Sequence, residues 1–292
     1  MNPTIDLGNV KIDGYKFAIN ANAILGTRNA GKTWTGKYFA ESLMDINVPI
    51  IVIDPVGRWR YMQQENPNNT QGKSYPVIVV GRDSDVELSI DTIEDVIMLA
   101  LRTRSSLVID LYHKDYDESK NDIVALICEK LFYENESHGL RTLIVEESAD
   151  FLGQTQKKSV ASVWLEKLTR YSGNCKLGIL FLNQNSESLS KAVLKLCKGM
   201  ILGIQNESNS IKMIRKWLAA GGVKNSEEVS ESLPNLTSGQ FWVWATYLEN
   251  NTPVLTKIPM IKSNHPSRED ISSNDVLPSE DNQIVIERMQ QF

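Results

Sequence analysis

The chain has 292 residues, a net charge of −5 and an ordinary share of apolar and charged residues. That length can bury a sizeable core. The charge excludes a protein that coats nucleic acid through bulk positive potential, though it leaves room for a basic lining inside an acidic exterior. Cys128, Cys175 and Cys197 are widely spaced and odd in number, so they read as buried apolar thiols in a reducing cytoplasm, not as a disulfide or metal pattern. With no leader pattern and no apolar run near the ~20 residues of a membrane span, a soluble, cytoplasmic protein is expected.

In chain order, an apolar stretch ending at Leu25 feeds a glycine-containing turn, and a helix is predicted over Lys32–Asp45. Strands are predicted at 47–55, 75–81, 106–111, 141–147, 176–184 and 199–204, each a continuous β-branched run of the kind covered on both faces. Helices are predicted between them at Asp91–Thr103, Asn121–Tyr133, Ser159–Tyr171, Leu189–Cys197 and Ile211–Ala220. Residues 62–74 and 225–239 read as polar, breaker-rich loops, and 240–248 as a late strand. This alternation implies an α/β fold, a mostly parallel sheet with helices on both faces. No solenoid-length repeat is present. The organisation expected is one domain over 1–266, then a polar linker and an apolar end over 267–292. In that end Val285, Met289 and Phe292 share a helical face and could dock as an arm on this domain or a neighbour's.

The turn Gly26-Thr27-Arg28-Asn29-Ala30-Gly31-Lys32-Thr33 matches GxxxxGK[ST]. Glycines let backbone N–H groups curl around phosphates at a helix N-terminus. Lys32 would reach the β- and γ-phosphates of ATP, and Thr33 would hold Mg²⁺. The strand before "EESADFLG" ends in Glu146 and Glu147, a Walker B pattern. Glu146 would act on the metal and Glu147 would serve as general base toward the attacking water. A helix start enriched in acids is the plainer explanation of the pair. Gln184, or Asn183 beside it, closes another buried strand and could orient that water or sense the γ-phosphate. Asp54-Pro-Val-Gly57 also spells the DxxG of GTPases, which would set Asp54 against the nucleotide. The guanine-reading NKxD is missing, so GTPase is a minor reading.

With these elements in order, residues 5–266 resemble the HerA-like branch of the HerA/FtsK superfamily. The resemblance is carried by the P-loop, "VIDPVGRW", "LIVEESADFL", "LGILFLNQ", "LPNLTSGQFWVW" and "NHP" at 264–266. It implies a RecA-like core, a ring expected to be a hexamer with ATP between subunits, and translocation of double-stranded DNA. No room precedes Gly26 for the family's N-terminal barrel, which suggests a minimal motor for packaging, transfer or processing. Arg58 stands where a glutamate is common. Arg170 is the nearest match to an arginine that reaches into the neighbour's site. Lys157, Lys158 and Lys224 are the candidates for DNA contact, with solvated surface as their plainer explanation. His113, His138 and His265 are scattered and suggest no metal site. The rival class is an ATP-gated oligomeric scaffold for a nuclease, capsid or effector protein in a defence or repair complex.

Overall fold

The computed structural model describes residues 2–152, 158–187, 190–248, 251–266, and 286, 287, 289 and 290. It opens with a short hairpin, β1 (Thr4–Asp6) and β2 (Lys11–Asp13), and helix α1 (Gly14–Ile19), capped by the Asp13 carboxylate on Lys16 N–H. Next come β3 (Ala21–Leu25), α2 (Lys32–Asp45), β4 (Ile50–Asp54), β5 (Val77–Val80), α3 (Ile93–Thr103) and β6 (Ser106–Asp110). They are followed by α4 (Lys120–Glu134), β7 (Arg141–Val145), α5 (Ala149–Leu152), α6 (Val160–Tyr171), β8 (Leu177–Asn183), α7 (Lys191–Leu196) and β9 (Gly199–Leu202). The last elements in this order are α8 (Ser208–Ala220), α9 (Ser226–Ser232), β10 (Gln240–Ala245) and β11 (Val254–Lys257).

Nine of these strands form one sheet in the order β11-β10-β9-β3-β8-β7-β4-β6-β5. The seven from β9 to β5 are parallel, and β10 and β11 are antiparallel additions at one edge. Side chains alternate between two cores: Ile51 and Ile53 join the helices α3, α4 and α6 on one face, while Ile50 and Val52 join α2 and the hairpin on the other. Burial on both faces is why these strands are apolar without interruption. All three cysteines are buried and free.

The expected strands are present, most of them shortened by a few residues; of the helices, α2 has the expected bounds, α4 and α8 run beyond them, and α3, α6 and α7 start later. Residues 225–239, expected as loop, contain α9, held by Val229 and Leu233 in the core. Of the tail, Ile286 and Met289 are buried in the chain's own core, and Gln290 donates to the Asp85 carbonyl at 2.9 Å. Val285, Phe292 and the linker lie outside the described residues. Among those described, no helix is long and apolar enough to cross a membrane.

Candidate nucleotide-binding and hydrolysis site

Because β3, β4, β7 and β8 run parallel, the residues following each meet at one edge of the sheet. The chain passes from β3 to strands on one side and, after β8, to β9 on the other. A crevice forms where the order reverses. The cleft there has a volume of about 650 Å³ and is lined by Arg28, Asn29, Gly31, Lys32 and Thr33 of the turn, Glu146, Glu147 and Gln184, and by Trp34, Val56, Arg58, His265 and Pro266.

The turn after β3 is braced from both sides. Gly26 N–H bonds to the Asn183 carbonyl at 3.2 Å and Thr27 N–H to Ile204 at 2.8 Å, while Ser238 Oγ and Gly239 N–H cap the carbonyls of Asn29 and Ala30. Gly31, at φ 95°, makes the left-handed bend from which α2 starts, a conformation glycine adopts without steric cost. Lys32 is nearly buried and donates to the Thr27 carbonyl at 3.3 Å. Burial lowers its pKa, against the charges of Glu147 and Glu146.

Thr33 Oγ1 donates to Glu146 Oε1 at 3.2 Å, and Trp59 Nε1 donates to Glu146 Oε2 at 3.0 Å. Glu146 is wholly buried. That burial, and the nearby Asp54 charge, push its pKa up to about 7. Glu147 is half-exposed at φ 42°, a conformation non-glycine residues seldom adopt. Its Oε1 accepts from Gln184 Nε2 at 3.1 Å, and Gln205 holds the Gln184 carbonyl at 3.1 Å. β8 lies between β3 and β7, so Gln184 stands between the turn and Glu147. Asn183 is buried instead, its Oδ1 accepting from Ala149 N–H.

Asp54 corrects an expectation. It does not face the cleft: it is fully buried, Oδ1 accepting from Val56 and Gly57 N–H and Oδ2 from Trp59 N–H at 2.8 Å. Buried under the loop it turns, it is not among the residues that line the cleft. Burial and the Asp110 charge push its pKa up to about 6.

Sequence reasoning missed the wall made by residues 262–266. Glu41 accepts from the N–H groups of Lys262 and Ser263 at 2.8 Å, and the buried Lys37 ammonium donates to the Asn264 carbonyl at 2.8 Å. These two α2 side chains clamp the segment so that His265 meets Trp34 edge-on, centroids 6.0 Å apart. His265 Nδ1 is buried with no hydrogen-bond partner among the described residues, and burial, with the Lys37 and Arg58 charges, holds its pKa down at about 3. The only signal in the sequence was "NHP".

The remaining candidates among the described residues do not line the cleft. Arg170 is exposed at the end of α6. The turn that follows leads into the start of β8, and so sits at the opposite edge of the sheet. Lys158 pairs with Glu166 at 2.8 Å, Lys224 is exposed before α9, and Lys157 lies outside the described residues. A second cleft, about 510 Å³, opens near Pro49 and Ser106, but its cations are engaged: Lys73 on Asp45, Arg104 on the carbonyls of His138 and Asn47.

Solved structures share this architecture over most of the chain. The genome packaging NTPase B204 of Sulfolobus turreted icosahedral virus 2, in complex with AMPPCP, is 17% identical at a TM-score of 0.56, over 83% of this chain and 99% of that one. The fold is that of a RecA-like P-loop NTPase. VirB4 of Thermoanaerobacter pseudethanolicus is 14% identical at a TM-score of 0.55 over 88% of this chain and 96% of that one. The bacterial conjugative coupling protein TrwBdeltaN70 is 8% identical at 0.58 over 94% and 92%. No protein-family model matches the sequence, and comparison with curated proteins finds no match. The RecA-like core expected from the HerA/FtsK resemblance is the fold observed.

Proposed function

We propose that this chain is a Mg²⁺-dependent ATPase that assembles as a ring, taken to be a hexamer, and uses hydrolysis to move double-stranded DNA. One observation carries the reading. Lys32, Thr33, Glu146, Glu147 and Gln184 converge in a single cleft, on a fold shared over 99% of a viral genome packaging NTPase that binds AMPPCP.

The turn's N–H groups and Lys32 would hold the phosphates. Thr33 Oγ1 and Glu146 Oε1 are the hard oxygen donors that Mg²⁺ takes, and they already lie 3.2 Å apart. Magnesium would neutralise charge on the β- and γ-phosphates. Glu147, oriented by Gln184, would take a proton from water as the water oxygen bonds to the γ-phosphorus. The bridging P–O bond breaks, its electrons leaving on ADP.

Ring assembly is supported by α6. Val160, Val163 and Tyr171 are exposed on it together with Arg170, and Tyr133 of α4 is exposed nearby, packed edge-on against Trp164. Apolar side chains grouped this way favour an interface. Arg170 cannot serve its own cleft from the opposite sheet edge, so any role in hydrolysis is at a neighbour's.

The test is ATP turnover with and without double-stranded DNA, alongside displacement of a third strand from a DNA triplex, with Lys32→Ala as control. Stimulated turnover and ATP-dependent displacement are expected. Turnover indifferent to DNA but altered by a second protein would replace the motor with the scaffold.

A further inference from the structure

Arg58 lines the cleft, yet none of the recognised motifs gives it a task. The loop that carries it is held unusually firmly. Asp54 accepts the N–H groups of Val56, Gly57 and Trp59, the residues on either side of Arg58. The Trp59 indole is then tied to Glu146, the partner of Thr33. Arg58 is therefore positioned by the same buried carboxylates that organise the Thr33–Glu146 pair. One of its guanidinium nitrogens donates to the Pro266 carbonyl at 3.3 Å, and Pro266 and Thr33 line the same cleft. The cleft's acids already have neutral donors: Thr33 and Trp59 on Glu146, Gln184 on Glu147. The Arg58 charge is close enough to Lys37 and His265 to disfavour their protonation, which puts the guanidinium beside the wall that His265 forms.

We propose that Arg58 is a catalytic residue acting in cis: its guanidinium contacts the γ-phosphoryl oxygens of ATP bound to the same chain and stabilises the charge that develops as that group passes to water. The inference rests on the ATPase reading above. In the step, the water oxygen forms the new P–O bond, Glu147 receives the proton, and the β–γ bridging oxygen leaves with the bonding electrons. Arg58 neither gains nor loses a proton. A planar guanidinium suits such a task because it matches two phosphoryl oxygens at once and stays charged. Cations so placed contribute about 10³–10⁵ in kcat.

Arg58→Ala should lower kcat at least ~100-fold, while KM and the affinity for a non-hydrolysable ATP analogue change less than about three-fold, the mark of an interaction realised in the transition state. Affinity for ADP with aluminium fluoride should fall with kcat, and Arg58→Lys should restore part of both. Analogue binding shows that each variant is folded. Unchanged kcat, or a loss confined to ATP affinity, overturns the proposal. Mixing Arg58→Ala with Lys32→Ala subunits tests the cis assignment. Each ring then holds intact P-loops lacking Arg58 beside dead P-loops carrying it. Continued inactivity is expected, and recovered turnover would place Arg58 in the neighbour's site. If Lys32→Ala abolishes turnover while Arg58→Ala does not, the ATPase stands and only this inference falls. If wild type hydrolyses no ATP, the ATPase reading itself fails.

Discussion

Glu147 occupies a backbone conformation that costs a side chain about 1–2 kcal/mol, at φ 42° and in hydrogen bond to Gln184. Such an outlier persists where the surroundings over-determine it, commonly at a site of chemistry. Glu147→Gln keeps an acceptor for Gln184 and removes the base, so ATP should still bind while turnover slows at least ~100-fold in a single-turnover assay. Normal turnover in that variant with loss in Glu146→Gln would reverse the two roles. His265 makes a pH prediction. Its pKa is about 3 in the fold against the ordinary histidine value of 6.5, so the unfolded chain binds more protons between those values. Neutral His265 therefore contributes stability that is present above pH 6.5 and lost as pH falls toward 3, at up to about 1.4 kcal/mol per unit. Asp54 and Glu146, raised to about 6 and 7, work in the opposite sense, their contribution being lost as pH rises through those values. Comparison with a variant isolates the histidine: the Tm of His265→Gln minus that of wild type should rise as pH drops below 6.5.

At the scale of elements, the site depends on how closely helices approach the sheet. α1 lies against β8 where Gly178 has no side chain, and a Cβ there would sit 1.9 Å from the Ala18 carbonyl oxygen. Backbone cannot yield as a rotamer can, so α1 must shift or β8 must bend. Overpacking of this kind costs about 1–3 kcal/mol or more. Gly178→Ala should lower the unfolding free energy by that amount, read as a lower urea midpoint at unchanged slope. Because Gln184 directly follows β8, the substitution should also weaken ATP turnover, and an unchanged midpoint would show that α1 moves away without cost. α2 works by polar contact: Lys37 and Glu41 reach across to residues 262–264. One helix thus carries Lys32 at its start and builds the far wall of the cleft two turns later.

For the whole molecule, parallel strands put the candidate nucleotide cleft at one edge of the sheet and Arg170 at the other. If the site is completed between subunits, ATPase per subunit should rise with protein concentration through the range in which light scattering shows assembly. Val163→Glu, a charge placed on the exposed face of α6, should shift that range to higher concentration. Arg170→Ala should lower turnover in assembled protein without weakening nucleotide binding. Constant specific activity from a demonstrable monomer would remove the interface site. The tail adds a separate prediction. Met289 is buried in the core of its own chain, so Met289→Ala should cost about 2 kcal/mol in denaturant unfolding, and truncation after Arg268 should lower Tm. If truncation instead leaves Tm unchanged and yields smaller assemblies, the end acts as an arm between subunits.

The sequence by itself determined the parallel strands, the P-loop, the acidic pair and the glutamine. Each of these depends on neighbours within a few residues: a β-branched run, a glycine spacing, a strand ending in carboxylates. It concealed the three-residue strands of the opening hairpin, too short to show a period, and α9, whose serines and acids look like loop until Val229 and Leu233 find the core. Only the tertiary structure decided where Asp54, Trp59, Arg58 and His265 lie and what they touch. Trp59 meets Glu146 across 87 residues, and Glu41 meets Ser263 across 222. Such partners are set by strand order, which leaves no local trace. Asp54 reads as a ligand in sequence and proves to be the brace of a loop. Its burial leaves its oxygens only the N–H groups beside them.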